Sequence, residues 1–273
     1  MKTKFFLFIL LMIFSDSAPA LIEKFLEIPP DYQAKLDFTG EKLKYQAQWM
    51  GFKSAQAELI VKSINGNYLI QGFAHTTGWA RVLWKMDDWL EVETTRSFQP
   101  KTYQFHYREP FIEQDLVLSF DLKNNSACSE RIWRHKPKRS RKEFQLYQGL
   151  DPVSLGFLVR SLDWKSGDKR YFEFTDGNER YLILLEAGKT KTIKVPAGSF
   201  RAIALVPYLF QLPKKFDRET PELVKKIEKK QSLRSLAQKA TIWLALEGTR
   251  PFLLVEAISL IGYVSLELVE ISR

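Results

Sequence analysis

Apolar and polar residues alternate along most of this chain. From Lys42 to Trp49, Leu43, Tyr45, Ala47 and Trp49 alternate with Lys44, Gln46 and Gln48. This is the two-residue period of a strand with one face buried. Gly51 marks a turn, and Ala55, Ala57, Leu59 and Val61 resume the alternation. Asn65-Gly66, a strong short-range hairpin signal, leads into a strand over 68–74. The same reading predicts strands at 89–96, 101–108 (inward Tyr103, Phe105 and Tyr107), 116–122 and 129–135, the last pair joined by a turn at Asn124-Asn125. Further strands are predicted at 170–175, 180–187, 190–195, 200–208, 241–246, 252–260 and 263–271.

Two segments break this period. After Asp151-Pro152, the apolar residues Leu155, Leu158, Val159 and Leu162 fall three and four apart. Asp as cap and Pro in the first turn predict a short helix over 152–162. Thr220-Pro221-Glu222 opens a second stretch with Leu223, Ile227, Leu233, Leu236 and Ala237 on one side and Lys225, Lys226, Lys229 and Lys230 on the other. It reads as a basic amphipathic helix inserted near 219–239, either on the protein surface or against a membrane interface. About a dozen hairpin-linked strands with one or two short helices specify a mainly β fold, a curved antiparallel sheet or open β-barrel.

The first residues predict export. Lys2 and Lys4 precede the unbroken apolar run Phe5–Phe14, and Ala18-Pro19-Ala20 is a small-residue cleavage pattern. The run is too short for a membrane span, which needs about 20 residues. No cysteine follows it to accept a lipid. The expected organisation is a signal peptide over 1–20, an N-terminal extension over 21–37 and a single β-rich domain over 38–273, placed in the periplasm. Cys128 is the only cysteine, so an intramolecular disulfide is excluded.

The formal charge of +9 becomes +8 without residues 1–20. Much of the excess lies in Arg131, Arg134, Lys136, Lys138, Arg139, Arg141 and Lys142. From Arg134 onward these form a candidate anionic-surface-binding patch for a membrane or lipid head groups, or else a solvated hairpin tip. Export argues against a nucleic-acid partner. Pro137 argues against a regular central strand at that point.

Candidate catalytic chemistry is sparse. His75, His106 and His135 lie on separate elements without metal-ligand spacing, so no metal and no cofactor are expected. There is no nucleophile elbow, Walker loop or dinucleotide fingerprint. Glu91 and Glu93 share a strand face and read as solvated. The seven Trp, 20 Phe and 10 Tyr are compatible with an apolar ligand inside a barrel. Trp49, Trp79, Trp84, Tyr103 and Phe105 are the candidate ligand-binding residues, with Gly78–Trp84 as a lid or barrel-mouth segment.

Gly40-Glu41-Lys42-Leu43-Lys44-Tyr45, Trp49, Gly51 and Ala57-Glu58-Leu59 together resemble the opening hairpin of a family of exported Gram-negative proteins, domain of unknown function 3108. Asp151-Pro152-Val153-Ser154-Leu155, Asp176-Gly177 with Arg180-Tyr181, Pro196-Ala197-Gly198-Ser199-Phe200 and Ile242-Trp243-Leu244 extend the resemblance over about 38–271. It implies an antiparallel, open-barrel fold and supplies no catalytic residues. The chain differs from lipoprotein members in lacking a lipidation cysteine, and its basic segments at 131–142 and 214–239 are its own. The leading expectation is a non-enzymatic periplasmic protein that binds a hydrophobic or amphiphilic envelope molecule. An envelope scaffold or assembly factor binding protein or cell-wall polysaccharide is the alternative. A hydrolase has no motif behind it.

Overall fold

A computed structural model of the chain describes residues 34–135, 138–146, 149–212, 240–259 and 262–273. The strands are β1 (Lys42–Trp49), β2 (Phe52–Ile64), β3 (Asn67–Thr76), β4 (Asp87–Thr94), β5 (Pro100–Glu109), β6 (Ile112–Asp121) and β7 (Ser126–Trp133). They continue as β8 (Lys138–Gln145), β9 (Lys169–Thr175), β10 (Arg180–Val195), β11 (Gly198–Leu212), β12 (Ala240–Ala245), β13 (Phe252–Ser259) and β14 (Gly262–Ser272). Two helices, α1 (Gly78–Leu83) and α2 (Pro152–Ser161), complete the described structure.

All fourteen strands form one sheet in the order β8-β7-β6-β5-β4-β3-β2-β1-β14-β13-β12-β11-β10-β9. The chain therefore meanders up and down, and its first and last strands pair, Lys42 opposite Ser272 through Trp49 opposite Val264. The free edges fall in mid-chain, at β8 and β9. The connection between them carries α2 across the interior. Ladder hydrogen bonding stops at this seam, and side chains bridge it. Lys142 Nζ donates to the carbonyl and side-chain oxygens of Asn178, each at 2.9 Å. Ser129 Oγ donates to the Gly177 carbonyl at 2.6 Å. Leu150 pairs with Phe174 as an isolated parallel bridge. These contacts blunt two edges that would otherwise offer unpaired backbone to another chain.

The period-2 pattern sets the faces. Tyr68, Ile70, Val92, Tyr103, Phe105, Leu116 and Leu118 are buried in one central cluster with Leu155, Phe157, Leu158 and Val159 of α2. The Asp151 carboxylate caps α2, accepting from Val153 N at 2.8 Å and Ser154 N at 2.9 Å, with Pro152 in the first turn. Beyond Ala187 a register shift lets the far half of the β10–β11 hairpin turn away. There Ile193, Val195 and Phe200 cover Leu43, Trp243, Leu253 and Leu268 in a second cluster.

Three details differ from the sequence expectations. The basic run continues over Lys138–Gln145 as β8, a strand at the sheet edge that the sequence pattern did not predict. Residues 180–195 form one long strand with an irregularity rather than two strands. Gly78–Leu83 is helical, a stretch too short for its apolar spacing to register as a period. The expected signal peptide, most of the N-terminal extension, Lys136 and the expected helix at 219–239 lie outside the described residues.

Candidate functional site

Between α2 and the sheet lies a cavity of about 280 Å3 with an almost wholly apolar wall. Small residues make the space. Ala57, Gly72 and Ala74 line it side by side on β2 and β3, and Gly156 does so on α2. A methyl group on Gly72 would come within 2.9 Å of Leu90 Cγ and 3.0 Å of Leu59 Cδ2, so glycine is the residue that lets these leucines close over the strand. Phe105, Phe174, Ile183, Leu185, Ile242 and Val255 complete the wall from the other strands. Volume and lining approach those of small-molecule sites, which run from about 300 Å3 and are mostly apolar with few polar groups.

Asp88 is the buried polar side chain on this wall. It accepts from Arg108 N at 2.7 Å and shares a side-chain hydrogen bond with buried Glu109. Burial pushes its carboxyl up to about 6, with these hydrogen bonds opposing the shift. The two carboxyls lie within hydrogen-bonding distance of each other. Glycosidase pairs stand about 5 Å or more apart.

Next to the wall runs a row of inward residues on neighbouring strands. Phe105 pairs with Leu116, and Leu116 with Arg131. The Arg131 side chain is buried, and among the described residues its Nε and Nη2 have no hydrogen-bond partner; the same holds for the hydroxyl of Tyr103. Burial holds the Tyr103 hydroxyl well above its ordinary pKa. At the seam a smaller space of about 200 Å3 is lined by Lys142, Phe144, Asn178, Glu179 and Arg180.

The α2 helix is fixed at both ends. At its C-terminal end Arg160 Nη2 donates to both oxygens of Glu41, at 2.6 and 2.7 Å, and to Thr249 O at 2.9 Å. Its guanidinium lies 4.6 Å from the Phe38 ring centre and 4.7 Å from that of Phe157. At the N-terminal end Asp151 is fully buried, and its Oδ2 has no hydrogen-bond partner among the described residues. Burial pushes this carboxyl up to about 6, against the lowering effect of its hydrogen bonds. The folded state therefore holds a proton that the unfolded chain releases near pH 4. This stabilisation is complete below about pH 4 and is lost as pH rises to about 6. Asp151→Asn keeps an equally good cap. It is expected to flatten the pH dependence of unfolding between pH 4 and 6, read by urea titrations across that range.

The structure distributes the five aromatic candidates. Phe105 lines the cavity, and Tyr103 stacks beside it with ring centres 6.3 Å apart. Trp49 and Trp79 lie instead on one end of the barrel, with ring centres 5.3 Å apart. Trp84, half-buried, packs against the buried cluster of Ala47, Ala55 and Met86, as Ala74 and Leu266 of the cavity wall also do. Pattern reading missed the small residues Ala57, Gly72, Ala74 and Gly156; a glycine inside a strand pattern, as at Gly72, was the available signal.

The basic candidates divide in the same way. Lys142 bridges the seam. Arg134 binds Asp115 at 3.1 Å, and Arg141 binds Glu143 at 3.2 Å. Lys138 sits 5.3 Å from the Trp133 ring centre, and Arg139 is exposed. Glu91 and Glu93 are tied to Gln71 and Lys101. Among the described residues no group of three or more His, Cys, Asp or Glu is placed to hold a metal ion, and no helix is long and apolar enough to cross a membrane.

A solved structure of similar fold is known, and two others align more loosely. A beta-barrel-like protein of domain of unknown function DUF1849 from Brucella abortus aligns over 87% of this chain and 98% of its own, at 8% identity and a TM-score of 0.55. A protein from Bacteroides fragilis, described as exported and of YmcC-like fold, aligns over 87% and 98% at 7% identity and a TM-score of 0.36. A protein from Parabacteroides distasonis, described as a lipoprotein, aligns over 86% and 95% at 10% identity and a TM-score of 0.30. No curated protein matches the chain. The family model described as Protein of unknown function (DUF3108) matches residues 44–269, nearly the whole barrel, and the chain belongs to that family.

Proposed function

We propose that this protein is exported to the cell envelope and holds a hydrophobic or amphiphilic envelope molecule, such as a lipid or acyl chain, without transforming it. The apolar cavity between α2 and the sheet carries this reading. An apolar space of this kind repels water and accepts apolar guests. Its walls are fixed: the Arg160–Glu41 pair anchors one end of α2 and the Asp151 cap the other, so the space does not depend on a ligand to form it. The signal-peptide pattern supports export.

Gly156→Leu tests the reading. A Cβ at this position would meet only Phe252 Cε2, at 3.6 Å, and the added side chain would extend into the cavity. Replacing glycine within a helix also favours folding by about 0.5–1 kcal/mol. The variant is expected to fold at least as well as the parent and to bind a fluorescent fatty acid at least tenfold more weakly. Equal binding by both proteins would place the probe outside the cavity and refute the assignment.

A further inference from the structure

Both ends of the barrel use left-handed turn residues, which differ in chemistry where they meet solvent; Phe98 (φ 62°), at the end away from α1, is buried. At the end away from α1, the β2–β3 and β6–β7 turns place Asn65 (φ 50°) and Asn125 (φ 48°) in the left-handed region. Asparagine tolerates that conformation and is soluble there. At the α1 end, the β1–β2 and β5–β6 turns place Met50 (φ 52°) and Phe111 (φ 72°) in the same region. Both are unfavourable choices for the backbone and for water: Met50 is 59% exposed and Phe111 95%.

The residues between these tips continue the pattern. Helix α1 buries only Ala80 and presents Val82 (87% exposed) and Leu83 (68% exposed) to solvent. Trp79 of α1 packs at a tilt against Trp49 and meets Phe52 edge-on at 6.2 Å, while Trp84 lies 6.2 Å from Phe111. On the other side Met50 N donates to Tyr263 O at 2.9 Å, and Tyr263 pairs with exposed Ile258. One connected apolar surface thus runs along the ends of β13, β14 and β1 through α1 to the β5–β6 turn. It is held rigidly, since Arg81 clips α1 to Asp87 at 2.8 and 2.9 Å.

Positive charge accompanies it. Lys53, Lys85, Lys138 and Arg139 are exposed near this end and form no salt bridge among the described residues. Two of the acids nearby are paired with arginines, Asp87 with Arg81 and Asp115 with Arg108 and Arg134, and Glu113 contacts His135 at 3.1 Å. Exposed Met, Phe, Trp and Leu flanked by Lys and Arg outside salt bridges match an anionic bilayer, whose interior accepts the apolar tips while its head groups meet the cations. We infer that the α1 end of the barrel docks on the surface of an anionic phospholipid bilayer, inserting Met50, Phe52, Val82, Leu83 and Phe111. This surface is separate from the cavity, and the inference stands whether or not the cavity holds a ligand.

The test is flotation of the purified protein with phosphatidylcholine vesicles containing 30% phosphatidylglycerol, with sedimentation velocity run alongside. All five positions are exposed, so Val82→Asp with Leu83→Asp, and separately Phe111→Asp, are expected to fold normally by circular dichroism. The parent is expected to float with the anionic vesicles, less so in high salt and with phosphatidylcholine alone. Each variant is expected to lose at least tenfold in vesicle affinity. Failure of the parent to float at low salt would overturn the inference, as would flotation unchanged in both variants. A parent dimer that the same substitutions dissociate would assign the surface to a second copy. A Val82→Cys thiol in a Cys128→Ser background that resists labelling without vesicles would assign it to the protein's own 213–239 segment. Either result would also overturn the inference.

Discussion

Arg160→Met is expected to destabilise the fold by roughly 3–5 kcal/mol, because it leaves Glu41 buried and charged without its partner. Glu41 is fully buried and Arg160 is 2% exposed. The guanidinium satisfies both carboxylate oxygens and the Thr249 and Arg250 carbonyls while packed between two phenyl rings. Methionine refills most of the volume but supplies none of these donors. Adding Glu41→Leu is expected to restore much of the loss, since an apolar pair of similar volume carries no desolvation cost. Urea unfolding of both single variants and the double variant measures the coupling. Additive losses would show that the pair does not act as one unit. Arg160 is more than a stability element in this account, because it fixes the helix that floors the cavity.

Gly177→Ala is expected to cost about 2–4 kcal/mol and to loosen the seam. Two effects combine. Gly177 has a φ of 75°, which an alanine adopts only with strain. Its added methyl would also overlap Leu118 Cδ1 and come within 2.9 Å of Leu116 Cδ1, since the β9–β10 turn lies directly on β6. The same turn receives Ser129 Oγ and Lys142 Nζ, so displacing it breaks the contacts that substitute for a ladder between β8 and β9. Thermal unfolding reports the loss. Hydrogen exchange is expected to rise first in β8 and β9, and uniform exchange across all strands would argue against a local seam.

The strands were legible because each buried face repeats every second residue, and turn residues such as Asn65-Gly66 separate them. α2 was legible because Asp151-Pro152 announces its start before the apolar spacing changes. The pairing of β1 with β14 and the gap between β8 and β9 were not legible, since hairpin signals report only neighbours in sequence. The cavity was half-legible. Phe105 and Tyr103 stood out as inward aromatics, but a hollow depends on small residues opposite one another, and Ala57, Gly72, Ala74 and Gly156 come from three elements. The exposure of Trp79 was hidden for a related reason: in a sequence, an aromatic at the rim looks the same as one in the core. The buried Arg160–Glu41 pair joins residues 119 positions apart, and no local pattern links them.

The space beneath α2 is proposed to hold an apolar envelope molecule. Native mass spectrometry of the protein purified from its own envelope under mild conditions, followed by organic extraction, tests it most directly. A stoichiometric lipid-sized adduct that the Gly156→Leu variant lacks is the expected result. A ligand-free parent that stays ligand-free after incubation with envelope lipids would contradict it.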